Sequence, residues 1–286
     1  LAYKITFYTE DEFGAKSANA DYSVVIDKYN YYVDSLSTAA EEDGSPMAPF
    51  KDLSRLGKIV QSNQFSRFYV KGSVSLKAGE ISLSNNVEFS GMDDARISAP
   101  ANCALILKNC GLYSQNIIWE KSPAASLSKK LRGAAKSLTN FFILERSAAT
   151  FKNCEVIARF SGDGKVFNCS SSSLRLDATG ISGSAEGYSC ALNVSGPSKV
   201  NVISSRILSV GDTAVAISSS GGSIALDNNF IQVSGRMGRA AEFVDSTLSL
   251  TNNKVTADVQ NNQAGGASVY TAGKVRFLAD EGNIYK

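Results

Sequence analysis

From residue 200 to 255 the apolar positions of the chain repeat. Val200 and Val202 precede Ile207, Ile224 and Leu226 precede Ile231, and Leu248 and Leu250 precede Val255. The interval is constant, since 224 − 200 and 248 − 224 both give 24. A glycine keeps step at Gly162, Gly187, Gly211 and Gly235, and small amide or hydroxyl pairs (Ser204-Ser205, Asn228-Asn229, Asn252-Asn253) separate the apolar groups. Within each period the apolar residues alternate, as in Ala214 and Ala216 or Ile231 and Val233. That is the periodicity of a strand, not of a helix. One period holds three short strands and three turns but no helix pair. The pattern therefore predicts an all-β parallel solenoid, each coil lying on the last and sharing ladder hydrogen bonds with it. The glycines are expected to supply turn conformations closed to other residues. The aligned Asn153, Ser204, Asn228 and Asn252 are expected to satisfy turn backbone that stacking buries. A β-sandwich, the alternative, keeps no such fixed offset.

Upstream the pattern changes. Tyr3, Ile5 and Phe7 alternate, as do Tyr22, Val24 and Ile26, so residues 1–28 read as a β-hairpin ahead of a solenoid over 29–286. Tyr31-Tyr32-Val33 reads as the first solenoid strand. After Pro49, the residues Phe50, Leu53, Leu56, Ile59 and Val60 fall at helical spacing, predicting an amphipathic capping helix over about 50–62 that covers the open end. Coils then run from Phe68 to Trp119, where residues 120–139 interrupt them. That stretch carries Lys121, Lys129, Lys130, Arg132 and Lys136 against Glu120, with Leu127, Leu131 and Leu138 on one helical face. It reads as a basic helical insertion. Coils resume at Phe141 and continue to about residue 285, giving about nine coils and a rod ~40 Å long.

These segments carry a resemblance. The order YYVDS…DGSPMAPFKDL…RFYVKGSVSL, over about residues 31–91, resembles the N-terminal capping segment of secreted bacterial β-helix proteins. The coils, with their recurring Asn and Ser, resemble the right-handed parallel β-helix of the pectate-lyase-like superfamily. The stretch YKITFYTEDEFG…YSVVIDK resembles the last two strands of a bacterial immunoglobulin-like domain; the alternative is a hairpin that caps the solenoid. The resemblance implies export by a bacterium, with the protein extracellular or on the cell envelope. Leu1 in place of an initiating Met reads as a piece of a longer product.

Composition narrows the chemistry. The chain is 43% hydrophobic, and 29 Lys+Arg against 27 Asp+Glu leave +2, so nothing global demands nucleic acid. No apolar run is long enough to span a bilayer. With no histidine, the commonest general base near neutral pH is absent, together with Ser-His and Cys-His pairs and His metal sites. The five cysteines do not pair evenly; Cys110 and Cys154 read as small buried residues in a stack, with a disulfide framework as the alternative. Cys110 and Cys154, each in Lys-Asn-Cys, are expected at the same point of their coils. No Cys-x-x-Cys exists, so no metal site or cofactor is expected.

Two groups of residues could carry function. The column after the repeating glycines holds Asp163, Tyr188, Asp212 and Arg236. Asp163 and Asp212 would lie two coils apart, about 10 Å, near the upper limit of an inverting glycosidase pair. Tyr188 would face a sugar ring, and Arg236 with Arg239 a uronate. The alternative is ordinary solvated turn residues, with both aspartates capping turns. The insertion, through Lys129, Lys130, Arg132 and Lys136, could engage an acidic polysaccharide, anionic lipid or a partner helix, or simply pack its leucines on the solenoid flank. The resemblance to lyases would imply clustered acidic calcium ligands. The resemblance to polygalacturonase-like hydrolases would imply an Asp-Asp pair with His and Arg-x-Lys. The only adjacent aspartates, Asp93-Asp94, are expected in a turn ahead of the main coils. The expectation is a non-catalytic surface or secreted module for adhesion, glycan binding or assembly, with a polysaccharide or another surface protein as partner. A lyase or hydrolase using Asp163 and Asp212, with calcium entering only under the lyase version, is the alternative, and a structural spacer the third.

Overall fold

The computed structural model describes residues 2–7, 9–10, 14, 16–17, 20–25, 29–123, 139–259 and 267–286. Lys129, Lys130, Arg132 and Lys136, and the helix expected around them, lie outside these residues. Ala2–Phe7 and Ala20–Val25 pair antiparallel, Ile5 opposite Tyr22, as a separate two-stranded sheet. The rest is a parallel β-solenoid of about eight turns.

One coil shows how the pattern builds the fold. Lys199–Ile203 lies in a first sheet. Arg206–Ser220 then crosses a second sheet, bends at Gly211-Asp212 and enters a third. Ser223–Asp227 opens the next coil. Parallel pairing puts Val200 beside Ile224 and Ile224 beside Leu248, so the 24-residue offset is the rise of one coil. Alternation sends Val200, Val202, Ile224, Leu226, Leu248 and Leu250 inward, where all are buried. Each such side chain contributes about 1.5–3 kcal/mol. The N-terminal half is filled differently, by an aromatic stack from Tyr31 through Phe68, Phe89, Trp119 and Phe142 to Phe167, with successive rings 5.0–5.4 Å apart.

The turn chemistry departs from expectation in two ways. Gly162, Gly187, Gly211 and Gly235 do not have positive φ. A side chain is excluded at Gly235 by close approach, because a Cβ there would lie 2.0 Å from the Gly211 carbonyl oxygen. Gly235→Ala must push two coils apart and should cost about 3 kcal/mol. Gly162→Ala, which meets nothing within 4 Å, should cost almost nothing. Urea midpoints of the two variants check this, and equal midpoints would refute it.

The left-handed positions are instead Asn116, Asn153, Ala178, Ser204, Asn228 and Asn252 at the first corner, between first and second sheets. Asn109, Arg146, Ser171, Gly196, Gly221 and Asp245 take them at the third corner, between third sheet and next coil. The buried polar ladder therefore falls one residue later than expected. Ser205 N donates to Asn229 Oδ1 (2.9 Å), Asn229 N to Asn253 Oδ1 (3.0 Å) and Asn253 N to Asn283 Oδ1 (2.8 Å). A serine ladder does the same at the third corner through Ser147, Ser172 and Ser198. Cys110 and Cys154 are ladder members too, but at different corners, since Cys110 bonds within the third-corner ladder and Cys154 follows Ala148–Lys152 of the first sheet. Lys-Asn-Cys is thus the signature of a turn type used twice per coil. The five cysteines are buried and free.

The capping helix is shorter than the periodicity predicts, Leu56–Ser62. Phe50 cannot join it, because its N–H donates to Tyr32 O and its carbonyl accepts from Asp34 N, extending the edge of the first strand. Leu53 N is committed to Ser75 O. Phe50, Leu53, Leu56 and Val60 are nonetheless buried over the solenoid end.

Candidate functional site

The column Asp163, Tyr188, Asp212 and Arg236 lies at the second corner, where Arg206–Ser220 and its neighbours bend. Its charges engage one another or the backbone. Asp163 Oδ1 accepts the Tyr188 N–H at 2.7 Å, capping the next coil's turn. Arg236 grips Asp212 with two bonds, Nε to Oδ1 at 2.8 Å and Nη2 to Oδ2 at 3.0 Å. The guanidinium accordingly holds the Asp212 carboxyl below its ordinary range. Arg239 pairs with Glu242 at 3.3 Å and lies 3.8 Å over the Tyr270 ring. Burial, reinforced by Cys190, pushes the Tyr188 phenol far above its ordinary pKa. The arrangement offers turn capping and ion pairing. Asp163 and Asp212 have separate partners.

Two clefts lie along the edges of the first sheet. At the third corner a cleft of about 540 Å³ is lined by Asn86, Asn109, Arg146, Ser171, Ser173 and Lys199, with Pro197 as a wall. It is continuous, through Asn86, Gly111 and Ala148, with a depression of about 350 Å³ over the first sheet that adds Glu88, Tyr113 and Thr150. The local sequence explains the shape. The left-handed residue of each turn projects, and small residues two positions later (Gly111, Ala148, Ser173) leave room beside it. Arg146, at φ 51°, takes a place that neighbouring coils give to Asn109, Ser171 and Gly196, a conformation arginine seldom adopts. Arg146 and Lys199 are exposed, and no carboxylate lines this cleft. In the adjoining depression Glu88 is tied to Arg67 at 2.9 Å.

At the first corner a cleft of similar size is lined by Asp93, Asp94, Asn116, Asn153 and Glu155. Asp93 and Asp94 do lie in a turn, but one inside the solenoid, where Asn86–Ala99 passes from the first sheet to the second. Both have positive φ, because the coil carries extra residues between Met92 and Arg96. Among the described residues no group of three or more His, Cys, Asp or Glu is placed to hold a metal ion. Sequence reading misses the third-corner cleft because its residues come from five coils without a common motif. The one signal, an arginine where other turns carry Asn, Ser or Gly, becomes visible only once the register is known.

Comparison with known proteins returns no match: no family model, no curated protein and no solved structure corresponds to the chain.

Proposed function

We propose that the protein is a non-catalytic binding module, of the type bacteria secrete or display on the envelope, that holds an extended glycan along the third-corner cleft. The observation carrying this reading is the continuity of the cleft and depression, which cross six coils and are lined by amide, hydroxyl and aromatic groups. Such groups suit sugars, whose hydroxyls need donors and acceptors and whose ring faces stack on tyrosine. Tyr113 would supply the ring face, and Asn86, Asn109, Ser171 and Ser173 the hydrogen bonds. Export is supported by the sequence resemblance to secreted β-helix proteins. The non-catalytic reading is supported by the second corner, where Asp212 is held by Arg236 and Asp163 by a turn N–H.

A glycan array tests it. The wild type should retain at least one extended polysaccharide, Tyr113→Ala should weaken that binding roughly tenfold through loss of stacking, and prolonged incubation, with or without calcium, should release no new reducing or unsaturated ends. Released ends would replace this reading with a lyase or hydrolase. Absence of any bound glycan would leave a structural spacer.

A further inference from the structure

The two cations of the third-corner cleft stand at a defined spacing. Lys199 pairs with Ser173, and Ser173 shares its ladder with Ala148, two residues after Arg146. Arg146 and Lys199 therefore belong to rungs two coils apart, about 10 Å along the rod. The rung between them presents Ser171 and Ser173, hydroxyls without charge, and the rungs on the far side of Arg146 present Asn109 and Asn86. Neither cation has a carboxylate partner among the residues lining the cleft. An extended pyranose chain advances by roughly one coil spacing, ~5 Å, per sugar.

From this spacing we infer that the cleft selects a glycan carrying an anionic group on every second sugar, with Arg146 and Lys199 taking successive acidic residues and the neutral sugar between them lying over Ser171 and Ser173. The inference rests on the glycan reading above and adds the charge and its period. An acidic group on the intervening sugar would face two serine hydroxyls and gain no counter-charge from them, so only the acids on the flanking sugars are rewarded. The planar fork of Arg146 suits a carboxylate or a sulfate, and the Lys199 ammonium is a point charge that accepts either.

Titration calorimetry with three oligosaccharides of equal length separates the possibilities: a hyaluronan fragment, with one carboxylate per two sugars; an oligogalacturonate, with one per sugar; and a neutral cello-oligosaccharide. The hyaluronan fragment should bind tightest, by roughly tenfold or more over the neutral chain, and Arg146→Gln and Lys199→Gln should each weaken it about tenfold. The paired exchange Ser173→Lys with Lys199→Ser, both at exposed positions, moves the cation one coil closer and should turn the preference toward the oligogalacturonate. Equal binding of the neutral chain, indifference to the Arg146 and Lys199 variants, or tighter binding of oligogalacturonate by the wild type would each overturn the inference while leaving a glycan-binding module intact. Binding of no oligosaccharide at all would overturn both.

Discussion

Lys121→Ala should destabilise the protein by about 4 kcal/mol. Lys121 is fully buried although it belongs to a strand, Ile118–Lys121, whose alternation turns it inward. Its neighbours above and below in the ladder, Ala99 and Ala158, are small and leave room for its stem. The ammonium donates to the carbonyls of Cys103 and Asn140, both at 2.8 Å, and lies 5.0 Å from the Phe160 ring centre. It thus ties together the starts of two neighbouring third-sheet strands, Cys103–Lys108 and Asn140–Glu145, whose own pairing begins only at Leu105 and Phe142. Alanine opens a cavity and strands two carbonyls, losses of about 2–5 and 1–3 kcal/mol in other proteins. Lys121→Met, which keeps the volume, should cost only about 1–2 kcal/mol, because it also relieves a buried charge.

The same residue sets a pH dependence. Burial pulls the Lys121 amine down from 10.5 to about 8. Between those values the unfolded chain binds more protons at this site than the folded one, so stability rises with pH from about 8 toward 10.5 and is lost again as pH falls through 8. Burial raises all five cysteine thiols above the ordinary 9.0, which works in the opposite sense as pH climbs toward and past 9, but does so in wild type and Lys121→Met alike. The signal of Lys121 is therefore the difference between the two proteins from pH 8 to 9. Urea unfolding across that window should show the wild type gaining about 1 kcal/mol relative to Lys121→Met. Parallel curves for the two proteins would refute a buried, desolvated ammonium.

Asn229→Ala should be nearly as damaging, about 3–5 kcal/mol. Asn229 Oδ1 accepts from Ser205 N, and Nδ2 donates to Val202 O and to Asn253 Oδ1, all at 2.9 Å inside the coil. Alanine leaves the Ser205 N–H and the Val202 carbonyl buried without partners, at about 1–3 kcal/mol each, and adds a void. Asn229→Ser should cost only about 1 kcal/mol. Ser205 shows how a hydroxyl serves in this ladder, accepting from Thr179 N at 3.0 Å while donating to Ile203 O at 2.7 Å. By contrast, Asn228→Ala removes only an exposed amide in a left-handed turn. Equal losses at 228 and 229 would mean that the ladder has been placed on the wrong residue.

The solenoid was legible because its defining contact is translational. Ile224 meets Leu248 as Val200 meets Ile224, so one packing solution is written into the chain again and again as a fixed offset with alternating polarity. The antiparallel pairing of Ala2–Phe7 with Ala20–Val25 was readable for the same local reason. The ladder was displaced by one residue because Asn228 and Asn229 are the same amino acid: composition says that an asparagine turns and an asparagine is buried, and only backbone φ says which. The helix over 50–62 was overextended because its apolar spacing is real, but Phe50 obtains more by bridging Tyr32 and Asp34 than by starting a helix. The cysteines of two Lys-Asn-Cys triplets were assigned to one corner because two corners use the same local turn.

Sequence alone therefore determined the repeat, the sheet-forming faces, the covered N-terminal end and the absence of histidine chemistry, all properties of near neighbours along the chain or of its inventory. Tertiary structure alone decided which groups meet across coils. It joined Asp212 to Arg236, buried Lys121 between two alanines, and gathered Asn86, Arg146 and Lys199 along one cleft. Those encounters depend on coil lengths, which are 25 residues from Ala148 to Ser173, 26 from Ser173 to Lys199 and 24 from Lys199 to Ser223. A small change in one of them shifts which side chains share a rung, while leaving the alternation that reveals the fold untouched.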